Sequence, residues 1–298
     1  KNKKIYVLDL LSFNFKFSTN ILRLILRFKS NPILYVHGLR TRPKTNLKNN
    51  SISEIVSKFK NYFSKLFFQN SVFRNHIIFT SGKYREKIFE KLSNKKINYI
   101  ISKDYFKLKN IQKHFKPFKS YAVFIDENVP DHYDYKISNI KSPISKKKYY
   151  EKLKLFFRKI EIIYKTKVVI SLHPKSKLNK IKELKGFKVY KGQTEKLIKN
   201  SSFVMFHAST AISFAVIFGK PILSLTCNEF NRSYFINEIK QTSKLLSTTE
   251  INIDELDKLN FKKLKVSKIS YKKYIKYFIK HPKSNEKSIE NYLVNFKN

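Results

Sequence analysis

Three stretches of the chain bring together side chains able to handle a proton or an anion. The first is Val168–Ser176, VVISLHPKS. An apolar run ends at His173, and Pro174 stops a β ladder there and fixes the chain direction. An imidazole in that place can donate to a phosphate or protonate a departing group. Lys175 and Ser176 add a cation and a hydroxyl beside it. The second stretch is Phe203–Thr226, FVMFHASTAISFAVIFGKPILSLT. It reads as strand, polar turn, apolar helix, Gly-Lys-Pro turn and strand. The turn His207-Ala208-Ser209-Thr210 sets small hydroxyl residues at a helix start. There they cap free N–H groups, or leave them to an anion that the helix dipole attracts.

The third stretch is Ala122–Asp134, AVFIDENVPDHYD. The chain has only 21 acidic residues, so this cluster stands out. Asp126 and Glu127 are the candidates for a general base that deprotonates an acceptor hydroxyl. Asp131, His132 and Asp134 follow, and other carboxylates of the cluster could bind a ribose or base. Their spacing matches no metal signature, so no metal is expected. Each stretch also has a plain structural reading: an N-cap beside a buried His, a strand-end His that only packs, and loop caps with Asx turns. What favours chemistry is the pair. His173 and His207 each follow a buried strand, and both imidazoles are expected to converge on one phosphate.

The elements that must position these residues alternate between apolar runs and helical patterns. Strands are expected at Ile5–Leu10, Pro32–His37, His76–Thr80, Ile97–Ile101, Ala122–Asp126, Val168–Leu172, Phe187–Tyr190, Phe203–Phe206 and Pro221–Thr226. Several are continuously apolar, which suits strands of a parallel sheet covered on both faces. Helices are expected at Thr19–Phe28, Ser51–Phe67 and Ser145–Tyr164, from apolar residues at helical spacing. A last helix is expected near Asn285–Phe296, in a Lys-rich tail. The fold class is therefore α/β, with two Rossmann-like doubly wound domains. Pro117 and its neighbouring lysines place the division near 118, giving domains 1–118 and 119–298. His-Pro-Lys-Ser occurs at His173–Ser176 and again at His281–Ser284, with unmatched flanks, and is taken as coincidence.

The chain has 298 residues and a formal net charge of +42, with 63 Lys and Arg. Only eight of these are Arg, so 63 − 8 = 55 are Lys. Nucleic-acid readers favour Arg for bidentate contacts. Lys, Asn, Ile and Phe enrichment is instead the mark of A/T-rich codons, so no nucleic-acid partner is expected. A basic surface does favour anionic membranes, nucleotides and acidic glycans. One cysteine, Cys227, excludes an internal disulfide and a Cys-based zinc site. No apolar run is long enough to span a bilayer, and a cytoplasmic protein is expected. The start, Lys1–Leu11, reads as a first strand and not a signal peptide. Ile21–Lys29, with Arg23 and Arg27 one turn apart, is a candidate peripheral membrane contact, or a core-facing helix. Weaker signals are Gly82 after a strand, Ser102–Tyr105, and Arg40, Arg42 and Lys44.

Taken together, His173-Pro174, the turn His207–Thr210 running into Gly219–Pro221, and Phe124–Asp134 resemble bacterial surface-polysaccharide glycosyltransferases of the GT-B fold. The pattern is similar to the bacterial sialyltransferase and polysialyltransferase group, and covers roughly residues 76–230. The resemblance implies a CMP- or UDP-linked sugar donor held between two α/β domains, with a glycan or lipid-linked glycan acceptor and no further cofactor. It implies that His173 contacts the donor phosphate, and that Ser209 and Thr210 hold the same phosphate. His207, Lys175 and Ser176 complete the donor site, and transfer proceeds with inversion. No acidic-acidic-Gly motif is present in the N-terminal half, and that half is short for a GT-B first domain. Two other functions stay open: a nucleotide-sugar 2-epimerase, and a non-catalytic glycan-assembly protein of the same fold.

Overall fold

The computed structural model describes residues 6–9, 31–36, 77–84, 86, 90, 97–108, 117–132, 135, 141–176, 182–258, 264–285, 287–289 and 291–292. The helices expected at Thr19–Phe28 and Ser51–Phe67, the basic positions 40, 42 and 44, and Asp134 lie outside the described residues. By contact the chain divides into two compact units. One comprises residues 1–39, 44–106 and 275–298. The other comprises 40–43 and 107–274. Residues 275–298 cluster with the first unit, and the division expected near 118 compares with a unit boundary at 106/107.

The first unit holds a parallel sheet of β1 (Tyr6–Asp9), β2 (Asn31–Val36), β3 (Ile77–Thr80) and β4 (Asn98–Tyr99), in that order. A short helix α1 (Lys103–Lys107) follows. The tail enters as a π-helical turn at Ile275–Ile279. Its backbone is fastened to the loop after β3: Lys83 N–H donates to Lys276 O and Tyr84 N–H to Tyr277 O, at 3.2 and 3.1 Å. Ser81 Oγ donates to Phe278 O at 3.2 Å. This contact requires Gly82. A Cβ there would fall on the Tyr277 carbonyl and 2.7 Å from Phe278 N.

The second unit holds six parallel strands: β5 (Tyr121–Ile125), β6 (Lys167–Leu172), β7 (Lys188–Lys191), β8 (Val204–Phe206), β9 (Ile222–Thr226) and β10 (Thr249–Asn252). Their order is β10-β9-β8-β5-β6-β7. Numbered within the unit and read from the β7 edge, that is 3-2-1-4-5-6, the doubly wound arrangement. All nine expected strands are present. β10, polar and exposed at Thr249 and Glu250, gave no apolar signal.

Alternation along the strands serves both faces. Ala122, Phe124, Val168, Ile170, Met205, Leu223 and Leu225 share one core cluster. Helix α2 (Lys146–Ile163) covers that face with Tyr149, Tyr150, Leu153, Phe156, Phe157 and Ile160, all fully buried at helical spacing. On the opposite face Tyr121 reaches α3 (Thr194–Asn200), its hydroxyl donating to Leu197 O at 2.9 Å. Helix α4 (Ile212–Ile217) ends in a Schellman turn. Gly219, at φ 62°, donates to Val216 O, and Lys220 N–H donates to Ala215 O. Pro221 then starts the next segment. Helices α5 (Tyr234–Leu246) and α6 (Lys268–Tyr274) complete the described unit. No helix among the described residues is long and apolar enough to cross a membrane.

Gly82→Ala is expected to lower stability by about 1–3 kcal/mol or more, because backbone must move to admit the methyl. A urea melt of this variant with an unchanged midpoint would contradict the packing described.

Candidate functional site

In an open α/β sheet a ligand binds outside the C-terminal ends of the strands, where the strand order reverses. Here the reversal lies between β5 and β8, which pair in parallel through Val123–Val204 and Phe124–Met205. The segments leaving β5, β6 and β8 are Asp126-Glu127-Asn128, His173-Pro174-Lys175-Ser176 and His207–Thr210. All three stretches chosen from sequence therefore meet at one sheet edge.

Their side chains divide the work differently from the sequence reading. Asp126 is 2% exposed. Its Oδ1 accepts from Asn128 N–H and from the Tyr150 hydroxyl, both at 3.1 Å. Its Oδ2 accepts from His173 N–H at 3.2 Å and from Ser176 Oγ at 3.1 Å. Burial pushes this carboxyl up, and those four hydrogen bonds pull it back down. Glu127, 4% exposed, turns toward the other neighbour. It accepts from His207 N–H at 3.1 Å and from Ala208 N–H at 2.7 and 2.8 Å. Both carboxylates are buried and accept hydrogen bonds from the protein. Consecutive residues of the central strand instead tie down the turns after β6 and β8. Asp126 and Glu127, expected as the general base, are found in a positioning place beneath those turns. The reason is that buried carboxylates are retained only when donors satisfy them.

His207 is likewise corrected. Its ring is fully buried, and Nδ1 lies 2.7 Å from Leu225 O. A carbonyl accepts only, so Nδ1 carries the proton. The ring packs edge-on against Phe124 and Phe230, and is tilted against Tyr149. Burial lowers its pKa to about 4, opposed by the Leu225 hydrogen bond. A neutral imidazole in the core cannot meet a phosphate at the rim. Ser176, buried with its hydroxyl on Asp126, is withdrawn from the donor site for the same reason.

His173 remains at the rim, half-buried. Lys175 N–H donates to its Nδ1 at 3.2 Å, and Ser176 N–H donates to its carbonyl at 2.9 Å. Since Nδ1 accepts, the neutral ring carries its proton on Nε2. The second His-Pro-Lys-Ser makes the same turn: Lys283 N–H donates to His281 Nδ1 at 3.0 Å and Ser284 N–H to His281 O at 2.9 Å. The string thus encodes a local shape. In the first unit that shape is used for packing. His281 is fully buried, stacks on Tyr99 at 3.8 Å, and holds Nε2 3.1 Å from Glu86 Oε1.

Ser209 is half-buried, and its Oγ accepts from Ala211 N–H at 3.3 Å. Thr210 and Lys175 are exposed. Asp131 is exposed too, 3.4 Å from Lys146 Nζ. His132 packs on Phe235. Among the described residues, Asp126, Asp131 and His132 do not come together. Those that do are Cys227, Glu229 and Asp254, within 4.8 Å. Lys152 occupies that cluster, 2.7 Å from Glu229 and 2.5 Å from Asp254. Against burial, hydrogen bonds from Lys148 and Lys152 hold Glu229 down at about 2. Sequence reading missed Tyr150, Lys152 and Asp254, whose partners are distant in the chain.

No protein-family model matches the chain, and no curated protein does. Among solved structures it is similar to the calicheamicin glycosyltransferase CalG4, at 10% identity over 80% of this chain and 59% of that one, TM-score 0.40. The glycosyltransferase SnogD from Streptomyces nogalater matches at 10% identity over 80% and 66%, TM-score 0.38. The UDP-GlcNAc 2-epimerase from Methanocaldococcus jannaschii matches at 14% identity over 93% and 72%, TM-score 0.41. The chain thus spans less than two thirds of each of these two glycosyltransferases. The architecture described above stands on its own strand order.

Two outcomes follow from the buried ties. Glu127→Ala leaves two main-chain N–H groups without their acceptor, and should cost about 2–5 kcal/mol. Glu127→Gln keeps one acceptor oxygen and should cost less; equal losses on denaturant melts would contradict the tie. His207 has its folded pKa below the ordinary 6.5, so its contribution is complete above pH 6.5 and is lost as pH falls toward 4. The difference is about 3 kcal/mol. Asp126, pushed up, works in the opposite sense over part of that window. The comparison is therefore wild type against His207→Asn, which keeps a donor for Leu225 O. The variant should show the shallower fall in urea midpoint between pH 7 and pH 4.5.

Proposed function

We propose that the chain is a GT-B-type glycosyltransferase that moves a sugar from a CMP- or UDP-linked donor to a surface-glycan acceptor, with inversion. One observation carries this reading. At the switch point the carboxylates of Asp126 and Glu127 are turned inward onto main-chain and hydroxyl donors, while a set of other polar side chains stands at the rim. Those groups are the Nε2–H of His173, the ammonium of Lys175 and the hydroxyls of Ser209 and Thr210. A cluster of imidazole, ammonium and hydroxyl groups at a strand tip suits the phosphate of a leaving nucleotide.

In this mechanism the acceptor oxygen attacks the anomeric carbon. The bond from that carbon to the phosphate oxygen breaks, and its electron pair leaves with the nucleotide. His173 donates through Nε2–H to the departing phosphate, in the tautomer that Lys175 N–H imposes. Lys175, Ser209 and Thr210 share the remaining charge without a metal. The acceptor proton goes to a base other than Asp126 or Glu127. One imidazole serves the phosphate, and the buried His207 supports the fold behind it.

His173→Asn keeps an acceptor for Lys175 N–H and removes the Nε2 donor. Turnover is expected to fall by about 10²–10⁴ with the melting point retained, and His173→Ala should fall at least as far. Near-normal turnover of His173→Asn on a matched donor and acceptor would remove His173 from the mechanism. A melting-point panel with CMP, UDP, GDP and CDP identifies the nucleotide, since a ligand bound only to the native state raises the melting point. Turnover of UDP-GlcNAc without any acceptor would instead favour the 2-epimerase.

A further inference from the structure

Helix α2 has a second face. Opposite the residues packed on the sheet, Lys147, Lys148, Glu151, Lys154, Leu155, Arg158 and Ile162 are exposed. Leu155 is 61% exposed and Ile162 is 72% exposed. Seven residues apart, they lie about 10 Å apart along nearly the same line of the helix. Arg158 and Lys159 lie on either side of that line, and Lys154 lies farther round the helix beside Leu155. Lys165, at φ 46°, is exposed just past the helix end. The acids nearby are engaged: Glu161 with Arg158 at 2.8 Å, and Glu151 with Lys147 at 4.0 Å. No ion pair to Lys154, Lys159 or Lys165 is found among the described residues.

Two aliphatic side chains ringed by cations make a specific demand on a partner. A second copy of the same face would set like charges against each other. A nucleic acid satisfies the cations and leaves the aliphatics in water. An anionic bilayer satisfies both, with lipid phosphates for the cations and the acyl boundary for the aliphatics. We propose that this face of α2 docks the second unit on an anionic lipid surface, with Leu155 and Ile162 entering the headgroup region. Lys154, Lys159 and Lys165 then lie on lipid phosphates. The inference is independent of the sugar-transfer reading, and its test uses no nucleotide.

The chain contains no Trp, so a single introduced indole reports its own surroundings. Leu155→Trp and Ile162→Trp place it on the proposed face. Ile269→Trp places it on Lys-rich α6, at a position 83% exposed. Each variant of the full chain is mixed with vesicles of phosphatidylcholine alone or with added phosphatidylglycerol. A blue shift of emission is expected at 155 and at 162, with the anionic vesicles only. It should disappear at high salt and be absent at 269. In the Leu155→Trp background, Lys154→Gln and Lys159→Gln should each weaken partitioning about fivefold. The proposal is overturned by the absence of a shift at both 155 and 162, or by an equal shift at 269. A vesicle-free shift that grows with protein concentration also overturns it, and assigns the face to a second copy.

Discussion

Two adjacent carboxylates at the end of β5 hold the candidate site together. Asp126 and Glu127 leave the central strand in succession, and one turns toward the β6 tip while the other turns toward the β8 tip. Burying two anions side by side is costly, and the cost is met by hydrogen bonds to charged acceptors from main-chain amides, a tyrosine and a serine. Tyr150 links this arrangement to the covering helix, so the sheet edge and the layer over it are set together. The two turns that flank the switch point are consequently fixed from beneath, by groups that never reach solvent. Their outward faces carry His173, Lys175, Ser209 and Thr210.

That arrangement explains how far the sequence could be read. Strands were legible because a parallel sheet covered on both faces needs unbroken apolar runs, and Val168–Leu172 or Ala122–Ile125 admit no other assignment. The doubly wound class was legible from the strand–helix alternation, while the place of each strand in the sheet depends on crossovers and not on composition. Helix α2 was readable almost to its ends, because Tyr149, Leu153, Phe156 and Ile160 repeat at helical spacing. β10 was not, because an edge strand such as Thr249–Asn252 carries little apolar signal. The three site stretches are neighbours, as expected, and the burial of the side chains within them was not legible. Chemistry-bearing types were visible at 126, 127, 173 and 207, but the direction each side chain takes depends on partners such as Leu225 and Ser176. Those partners are brought close only by the fold.

The two histidines make the distinction concrete. Both follow a buried strand, and both belong to polar turns. His207 follows β8 between β5 and β9, where the Leu225 carbonyl and a cage of aromatic rings draw the imidazole inward. His173 is followed by Pro174, and the turn that Pro174 enforces lets Lys175 N–H seize Nδ1. One ring becomes a neutral core group with its proton on Nδ1, and the other a rim donor with its proton on Nε2. The recurrence of the same turn at His281 shows that this choice of nitrogen is local, while the use made of Nε2 is set by surroundings. At 281 a carboxylate and a tyrosine enclose it.

The scarcity of acids bears on both the rim and the outer face. With 21 acidic residues against 63 basic ones, each carboxylate has many suitors. Those best placed are spent internally: Asp126 and Glu127 on turns, Glu229 and Asp254 on Lys152, Glu86 on Tyr99 and His281, Glu161 on Arg158. The cations that remain cannot be neutralised within the described chain, and so they set the field outside it. A field of that sign concentrates nucleotides and phosphorylated surfaces alike, and distinguishes neither. What separates them is shape. Fixed N–H and hydroxyl groups at a sheet edge select a compact phosphate, whereas two aliphatics along 10 Å or so of helix select an extended apolar boundary. The same excess of lysine can therefore serve two partners on two surfaces, because selectivity resides in the uncharged groups between the charges.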